Sequence, residues 1–412
     1  MRRLVIFLAG VAMLAGGCGG GSGSSASTKH LVIAVDVPVT GSPYVAQTIR
    51  QGVELATSNL NGGGGVRVGD QSYLLDAKLY DNHLSARQAV EDTRRALDAG
   101  AVTIVIDGTG VDATWQLAQQ QGVSICIAYD GGSGLVDAEQ RPNVFRIAPT
   151  NHGIAFRYAE YLIPKKLKVG LLADDSAYGS EGAADIAHAF SANPGSVALK
   201  LTLPAGQADL SAQILRAKRS GASALLVWGQ PPTIAAVLSA ARSIGWQVPV
   251  YTPPTGADPF IRQQLADHPK WVDGLTFASG RLTAEVGTGP FTNFESQYEA
   301  TYGADLAGVK TSDGQAVVQP PEFGMYSYDF VHVLVAALTH AASVEPGKVT
   351  SALSQVTAQG ANGDERGFNE HNHDGVVDDD VYFARFHDMT YQPVKDDALS
   401  ATLPAIPQTR SQ

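Results

Sequence analysis

Short runs of glycine, hydroxyl and aromatic residues follow several apolar runs of this sequence. Residues 108–110 (GTG) follow AVTIVID, and residues 129–131 (YDG) follow VSICIA. Such residues can bind small solutes through hydroxyl and backbone N–H groups when they lie beyond the carboxyl ends of buried strands, beside helix N-termini. The candidate ligand-binding residues at these positions are Tyr44, Thr109, Gly110, Tyr129, Gly131, Tyr178, Trp228 and Gln230.

Two further motifs suggest a metal ion, and both are incomplete. The run EHNHDGVVDDD is in partial register with a calcium loop, but Val381 stands where such a loop requires a bidentate carboxylate. His371 and His373 would bind zinc only with partners elsewhere in the chain, and none is evident. A polar β-turn is the favoured interpretation of this run, and no metal or cofactor is predicted.

The sequence offers no catalytic motif. The runs IDGTG and GGSG lack the Lys-Ser/Thr ending of a P-loop and the spacing of a dinucleotide fingerprint. There is no G-x-S-x-G nucleophile elbow, and Cys126 lies in an apolar run, which favours a buried thiol over a reactive one. A secreted α/β hydrolase is therefore the least favoured function.

Alternating strand-like and helix-like segments position the candidate residues. HLVIAVDV, AVTIVID and VSICIA are typical of parallel strands covered on both faces, and amphipathic segments such as SARQAVEDTRRALDAG separate them. The same alternation resumes at LKVGLLADD and continues to VPVYTPP. Two successive βαβ runs predict an α/β fold of two doubly wound lobes with parallel sheets.

The N-terminus has the features of an export signal followed by a spacer. Arg2 and Arg3 precede the apolar run LVIFLAGVAMLAG, which is too short to span a bilayer comfortably, and Cys18 follows. The segment resembles a bacterial lipoprotein signal, although Ala15 stands where leucine is usual. We expect a signal peptide over residues 1–17, lipidation of Cys18 and a flexible Gly/Ser tether over residues 18–29. A plain signal peptide cleaved nearby is the alternative.

The composition narrows the possible partners. The chain has 412 residues, enough for two domains, and its net charge of −11 argues against nucleic acid and against charge-driven binding to acidic lipids. If Cys18 is lipidated, Cys126 has no disulfide partner, because the chain has two cysteines. No second long apolar span follows the signal, so we expect membrane contact through the lipid anchor only.

The ordered segments resemble the substrate-binding proteins of ABC transporters for branched-chain amino acids, which have the type I periplasmic-binding fold. The resemblance extends from about His30 to about Val394 and includes NLNGGGGVRVG, GVSICIAYDGGSGL, ADDSAYGSEGA, DLSAQILRAKRSGASALLVWG and YSYDFVHVLVAAL, in the family's order. It implies two lobes joined by a three-crossing hinge, one solute bound in the cleft, and closure on binding.

The resemblance also implies the division of the chain and the roles of the loops. Residues 30–150 and 280–362 are expected in the N-terminal lobe, residues 151–279 and 363–395 in the C-terminal lobe, and residues 396–412 in a tail. In the family, the loops that match residues 108–110 and 129–131 hold the ligand carboxylate. The tyrosine that matches Tyr178 closes from the other lobe.

The predicted function is that of an extracytoplasmic solute-binding lipoprotein on the outer face of the cytoplasmic membrane. It would capture a small ligand of amino acid, amide or carboxylate type between its lobes and deliver it to an ABC permease. We expect a monomer that is not an enzyme. The nearest alternative is the same fold acting as a ligand sensor for a membrane signalling protein, which gene neighbourhood would distinguish.

The loop TPPTGAD bears on the identity of the ligand. Amino-acid-binding members of the family place a glutamate against the ligand ammonium on the matching loop, where this chain has Pro254. Asp258 is expected to cap the next helix, although Asp130 or Asp258 could reach an ammonium instead. Tyr129 replaces a smaller residue of the family. We therefore predict a carboxylate, an amide or an aromatic acid rather than leucine, isoleucine or valine.

Overall fold

The computed structural model describes residues 29–280, 289–304, 306–319, 321–376, 381–402 and 409–410. The expected signal peptide, the lipidated Cys18 and nearly all of the tether lie outside these residues. Two large sheets organise the described chain. Among the described residues, no helix is both long and apolar enough to cross a membrane.

The first sheet contains the strands that precede the candidate residues of the N-terminal half. Its strands are β1 (Lys29–Val37), β2 (Val66–Val68), β3 (Gln71–Asp81), β4 (Ala101–Ile106), β5 (Ser124–Ile127) and β6 (Val144–Arg146), and the helices among them are α1 (Pro43–Gly62), α2 (Ala86–Asp98) and α3 (Val111–Gln119). The order is β2-β3-β1-β4-β5-β6, and the neighbouring strands are parallel except for β2 and β3. Every residue of β4 is buried, as expected for a strand with helices on both faces.

The second sheet follows α4 (Asn151–Leu162). Its first strands are β7 (Val169–Asp174), β8 (Val197–Leu203), β9 (Ala224–Trp228), β10 (Val250–Thr252) and β11 (Leu275–Gly280), and the helices among them are α5 (Ala177–Ala189), α6 (Ser211–Arg219), α7 (Pro231–Ser243) and α8 (Pro259–Gln264). These strands are parallel and have the order β11-β10-β9-β7-β8. The predicted α/β fold with two doubly wound lobes is confirmed.

The C-terminal part of the chain contributes to both lobes. Its elements are α9 (Gly289–Tyr302), β12 (Leu306–Lys310), β13 (Ala316–Val318), α10 (Glu322–Ala341), α11 (Pro346–Leu353), β14 (Thr357–Gln359), β15 (Glu365–Gly367), β16 (Val381–His387), β17 (Thr390–Pro393) and β18 (Thr409–Arg410). The chain passes to the second sheet after β6, returns to α1 with α9 and α10, and enters the second sheet again at β16. The exact lobe boundaries stay a prediction.

The edges of the sheets differ from the all-parallel pattern that the sequence predicts. β16 and β17 extend the second sheet as antiparallel strands beside β11, and β2 is antiparallel to β3. The short pairs β12–β13 and β14–β15 are also antiparallel. Strands of three residues carry too little periodicity to be predicted from sequence.

A close contact between α1 and α10 brings the chain back to the first lobe. A Cβ atom on Gly52 would lie 2.0 Å from the carbonyl oxygen of Gly324, so the contact requires glycine at this position. Ser327 of α10 donates a hydrogen bond to the carbonyl oxygen of Ile49 at 2.8 Å. The apolar helix α10 is therefore a core element of the first lobe.

Hydroxyl side chains fix the points at which three helices begin. Ser85 accepts the Gln88 N–H at 3.4 Å before α2, and Ser176 accepts the Gly179 N–H at 3.0 Å before α5. Thr150 caps α4 in the same way. Because α4 and α5 carry the chain into the second lobe, these caps help to set the geometry of the loops between the lobes.

Candidate ligand-binding cleft

Loops at the carboxyl ends of the two sheets face each other and touch. Ser133, in the loop after β5, donates a hydrogen bond to Asp185 of α5 at 3.2 Å. A Cβ atom on Gly132 would lie 2.6 Å from Oε2 of Glu181, which is also on α5. The loop after β5 of the first lobe therefore contacts α5 of the second lobe at the strand-end side, which is where open α/β sheets bind ligands.

Asp107 organises the loop after β4. Its carboxylate accepts hydrogen bonds from the Thr109 hydroxyl and from Asn82 Nδ2, both at 2.7 Å. Asp107 is 4% exposed, and burial raises its pKa to about 6 even though the bonds from Thr109 and Asn82 lower it. Thr109 and Gly110 are partly buried just before α3, where Gly110 adopts a left-handed φ of 77° that favours glycine.

The loop after β5 carries Tyr129 and Gly131. Tyr129 is partly buried and packs edge-on against Phe323 of α10, with ring centroids 4.7 Å apart. Gly131 is buried, and its carbonyl oxygen accepts the Asn151 N–H at 2.8 Å. A Cβ atom on Gly131 would lie 2.5 Å from that nitrogen. Gly131 thus holds the loop against the start of α4.

Tyr44, near the start of α1, belongs to a hydrogen-bond network between the lobes. Its hydroxyl accepts a hydrogen bond from Nε2 of Gln319 at 2.7 Å, and the same nitrogen donates to Tyr391 of β17 at 2.8 Å. Tyr391 donates to the carbonyl oxygen of Ala257 at 2.9 Å. The Tyr44 ring also lies 6.3 Å from Phe323, which places it on the same wall as Tyr129.

The second lobe contributes Tyr178, from the first turn of α5, with Trp228 behind it. Their ring centroids are 6.0 Å apart. Burial raises the pKa of the Tyr178 hydroxyl, and the charge of Asp130 in the first lobe raises it further. Trp228 is 0% exposed, and a Cβ atom on Gly182 would lie 2.2 Å from the indole. Trp228 thus lies in the core of the second lobe, and its contact with ligand stays a prediction.

Gln230 is exposed and precedes α7 as its N-cap residue. Its backbone N–H donates a hydrogen bond to Oδ2 of Asp174 at 2.8 Å, and the Thr233 hydroxyl donates to the same oxygen at 2.9 Å. The main chain of Gln230 is therefore fixed to the end of β7, whereas its side chain is open to solvent.

Asp258 is a helix cap, as predicted, and it also lies close to Tyr129. Its carboxylate accepts the Phe260 N–H at 2.8 Å at the start of α8, and burial raises its pKa to about 6. Burial raises the pKa of the Tyr129 hydroxyl, and the neighbouring Tyr178 and Asp258 raise it further. Two groups of the second lobe thus act electrostatically on a tyrosine of the first lobe.

Sequence reasoning did not assign a role to Asp107, Gln319 or Phe323. Phe323 packs on two candidate tyrosines, Gln319 joins the lobes, and Asp107 accepts the hydroxyl of Thr109. The Asp-Gly-Thr spacing in IDGTG was the available signal for Asp107, since such spacing permits a local side-chain hydrogen bond. No local pattern marks Gln319, whose partners are distant in sequence.

The incomplete metal motif is a structural turn. The His373 ring makes a hydrogen bond through Nδ1 to the carbonyl oxygen of Val144 at 2.9 Å, and Asn369 accepts the His371 N–H at 3.0 Å, which confirms the polar turn. In the part of the chain that the structure describes, no group of three or more His, Cys, Asp or Glu residues could hold a metal ion. Asp378 of this motif lies outside the described residues.

Cys126 is a core residue, as predicted. It lies in β5, is 0% exposed, and burial raises the pKa of its thiol well above the usual value. A buried neutral thiol is a poor nucleophile, because the thiolate is the reactive form.

Two α/β lobes with a cleft between their strand-end loops define a class of solute-binding protein. The family model described as a periplasmic binding protein matches residues 31–390, and the chain belongs to this family. The type I fold and the resemblance to branched-chain amino acid-binding proteins are confirmed.

Individual relatives are distant in sequence. Leu/Ile/Val-binding protein homolog 8 of Brucella abortus is 25% identical over 286 residues, which are 65% of this chain and 69% of the relative. A periplasmic binding protein type 1 from Bordetella pertussis has a TM-score of 0.74 at 22% identity, covering 87% of this chain and 97% of its own.

Some of the similar solved structures contain a ligand. A branched-chain amino acid transporter substrate-binding protein from Streptococcus pneumoniae, in complex with isoleucine, has a TM-score of 0.72 at 19% identity, covering 88% of this chain and 98% of its own. A solute-binding protein of an ABC transporter from Rhodopseudomonas palustris, in complex with 3,4-dihydroxybenzoic acid, has a TM-score of 0.70 at 17% identity, covering 87% and 93%.

Members of the periplasmic binding protein family are extracytoplasmic substrate-binding proteins of the ABC-transporter type, and in general they are not enzymes. The protein is thus a periplasmic solute-binding protein for a small molecule. Its ligand, its attachment to the membrane and its delivery partner are separate matters.

Proposed function

We propose that this protein is a lipid-anchored receptor that captures a small carboxylate or its amide in the cleft and delivers it to an ABC permease. The observation that carries the proposal is the contact between the lobes at the loop that carries Tyr129, where Ser133 of the first lobe donates a hydrogen bond to Asp185 of the second at 3.2 Å. Aromatic rings with a few polar groups, between two domains, are the usual composition of a small-molecule site.

The first lobe supplies most of the proposed contacts. Thr109 and Gly110, with the N-terminus of α3, bind the carboxylate or amide end of the ligand, because a helix N-terminus favours an acceptor. Gly131 keeps the neighbouring loop close to the crossing into α4. Tyr44 and Tyr129 form an aromatic wall with Phe323 behind them.

The second lobe closes over the ligand with Tyr178. Trp228 supports the Tyr178 ring from the core side, and Gln230 stands at the exposed edge of the cleft. Closure brings Ser133 of the first lobe to Asp185 of the second. The binding energy is therefore shared between the lobes, as hinge closure requires.

The proposed ligand lacks a free α-ammonium group. Pro254 offers no charge at the position where amino-acid-binding relatives place a glutamate, and Asp258 already accepts the Phe260 N–H as a helix cap. Isoleucine and 3,4-dihydroxybenzoic acid, the ligands of two structural neighbours, share a carboxylate. An aromatic acid such as the second also suits the tyrosine-rich walls.

Lipidation of Cys18 anchors the proposed receptor as a monomer to the outer face of the cytoplasmic membrane. The serine- and glycine-rich tether then holds the folded part away from the bilayer. Cys18→Ala should release the protein into the medium, as fractionation and immunoblotting would measure. A Cys18→Ala protein that stays in the membrane fraction like the wild type contradicts the anchor.

Calorimetry with purified residues 29–412 tests the proposed ligand class. We expect 3,4-dihydroxybenzoate or benzoate to bind, and leucine, isoleucine and valine not to bind. Tyr129→Ala should weaken binding at least tenfold, about 1.4 kcal/mol, whereas Tyr73→Ala on β3, outside the cleft, should leave it unchanged. Micromolar binding of leucine, isoleucine or valine contradicts the ligand class. Equal effects of the two tyrosine variants contradict the site.

A further inference from the structure

The Thr109 hydroxyl is directed to Asp107. Its Oγ1 donates to Asp107 Oδ2 at 2.7 Å, and a hydrogen bond from the Thr109 backbone N–H also lowers the pKa of this carboxyl. A hydroxyl has one proton to donate. While Thr109 donates that proton to Asp107, it can offer a ligand only its lone pairs, and a ligand carboxylate also offers lone pairs. The Thr109 hydroxyl therefore cannot form a hydrogen bond with a ligand carboxylate unless one proton is added to the loop.

Asp107 is placed where it can hold that proton. It is 4% exposed, and its other oxygen accepts Asn82 Nδ2 at 2.7 Å. Asn82 is itself 0% exposed, and its Nδ2 also donates to the main-chain oxygen of Asp36 at 3.2 Å. A fixed donor on one oxygen and a fixed hydroxyl on the other suit a carboxyl that can exist with or without its proton.

Burial and a neighbouring charge favour the protonated form of Asp107. Asp130, on the loop after β5, is the charge that raises its pKa, whereas Tyr129 on the same loop and Asp36 on β1 have raised pKa values of their own and are largely uncharged at neutral pH. Asp92 of α2 and Asp81 of β3 raise the pKa of Asp36, and Arg95 of α2 lowers it. Burial raises the pKa of Asp107 to about 6. A further negative charge from a ligand beside Thr109 would raise this value again.

We propose that Asp107 determines, through its own proton, whether Thr109 donates to the ligand, so that a carboxylate binds together with one proton from solvent. The inference rests on the proposed function, that the cleft binds a small carboxylate or its amide. Protonated Asp107 donates to Thr109 Oγ1, and the Thr109 proton turns to the ligand. No covalent bond is made or broken. Asp107 is thus a positioning residue that sets specificity without touching the ligand.

The two ligand classes then respond differently to pH. A carboxylate binds best when Asp107 holds a proton, so its affinity falls as pH rises above the range in which Asp107 titrates. A primary amide can donate its own N–H to Thr109 and needs no added proton. The cleft should favour acids at low pH and lose that preference at high pH.

Calorimetry at pH 7.5 in phosphate and in Tris measures the proton directly, because the two buffers have different enthalpies of ionisation. The probes are benzoate and 3,4-dihydroxybenzoate, each beside its primary amide. For the acids we expect uptake of close to one proton and an affinity that falls about tenfold per pH unit between pH 7 and pH 8.5. For the amides we expect no uptake.

Asp107→Asn is the matched variant. Its amide can donate to Thr109 and accept from Asn82, as the protonated carboxyl does, so acids should bind it without proton uptake and with a flat pH profile. Asp98→Asn removes one exposed charge at the end of α2 and should keep the wild-type uptake. If Asp107→Asn does not fold, the absence of proton uptake by the wild type still overturns the proposal.

The outcomes separate this inference from the function on which it rests. Acids that bind the wild type without proton uptake overturn the role of Asp107 and leave the solute-binding function intact. Proton uptake that persists in a folded Asp107→Asn protein assigns the proton elsewhere and also overturns it. Failure of both acids and both amides to bind between pH 5.5 and pH 8.5 overturns the proposed ligand class and this inference with it.

Discussion

The two lobes bury an aspartate at matching strand ends, but they satisfy it differently. Asp174, at the end of β7, is 1% exposed and accepts hydrogen bonds from Ser176, Gln230 and Thr233. Asp36, near the end of β1, is also 1% exposed, yet neither carboxylate oxygen has a hydrogen-bond partner among the described residues. An ionised aspartate therefore stabilises the fold at the strand ends of the second lobe and destabilises it at the strand ends of the first.

The second lobe therefore has rigid strand-end loops, whereas the protonation of the strand ends of the first lobe changes with pH. Asp174 connects the loops after β7 and β9, so the second lobe presents a fixed surface. Burial, together with the charges of Asp92 and Asp107, raises the pKa of Asp36 to about 8. Because an ionised carboxylate without donors is costly to bury, the first lobe retains a proton near its strand ends at neutral pH.

The largest expected effect is that of removing Asp174. Asp174→Ala leaves donors of three residues without their acceptor and should lower the free energy of unfolding by about 3 kcal/mol. Asp175→Ala is the control, because Asp175 is exposed and accepts the Ala205 N–H at 2.7 Å. Urea unfolding measures both. Equal, small losses in the two variants would refute the structural role of Asp174.

The effect of Asp36 should have the opposite sign. Its folded pKa lies above the unfolded value of 3.8, so the wild type loses stability as pH rises from about 4 to about 8. Asp36→Asn removes this loss, and its gain over the wild type should grow by about 2 kcal/mol between pH 5 and pH 6.5. The exposed Asp70→Asn is the control. A gain that does not change with pH contradicts this account.

The smallest effect is expected where the two walls meet. Ser133 donates to Asp185 of the other lobe at 3.2 Å, but Ser133 is exposed, so the bond contributes on the order of 0.5 kcal/mol. Ser133→Ala should weaken binding of 3,4-dihydroxybenzoate about twofold without changing thermal stability. Ser351→Ala, on α11, should change neither quantity. A tenfold loss in Ser133→Ala would mean that this contact dominates closure.

The sequence predicts the lobes well because long apolar runs and their flanking turns are local features. The strand ends at Thr109, Tyr129 and Tyr178 follow from those runs alone. The contrast between Asp36 and Asp174 does not, because HLVIAVDV and LKVGLLADD are similar as patterns. Only the folded chain brings Gln230 and Thr233 to one aspartate and leaves the other without donors. The core position of Trp228 likewise depends on Gly182 of a neighbouring helix.

Small-angle X-ray scattering of residues 29–412, with and without a saturating aromatic acid, tests the central claim most directly. If the ligand binds between the lobes, its binding energy closes the hinge. We therefore expect a smaller radius of gyration with 3,4-dihydroxybenzoate, and no further decrease in the radius of gyration at higher ligand concentration. A calorimetrically saturated protein with an unchanged radius of gyration would contradict binding between mobile lobes.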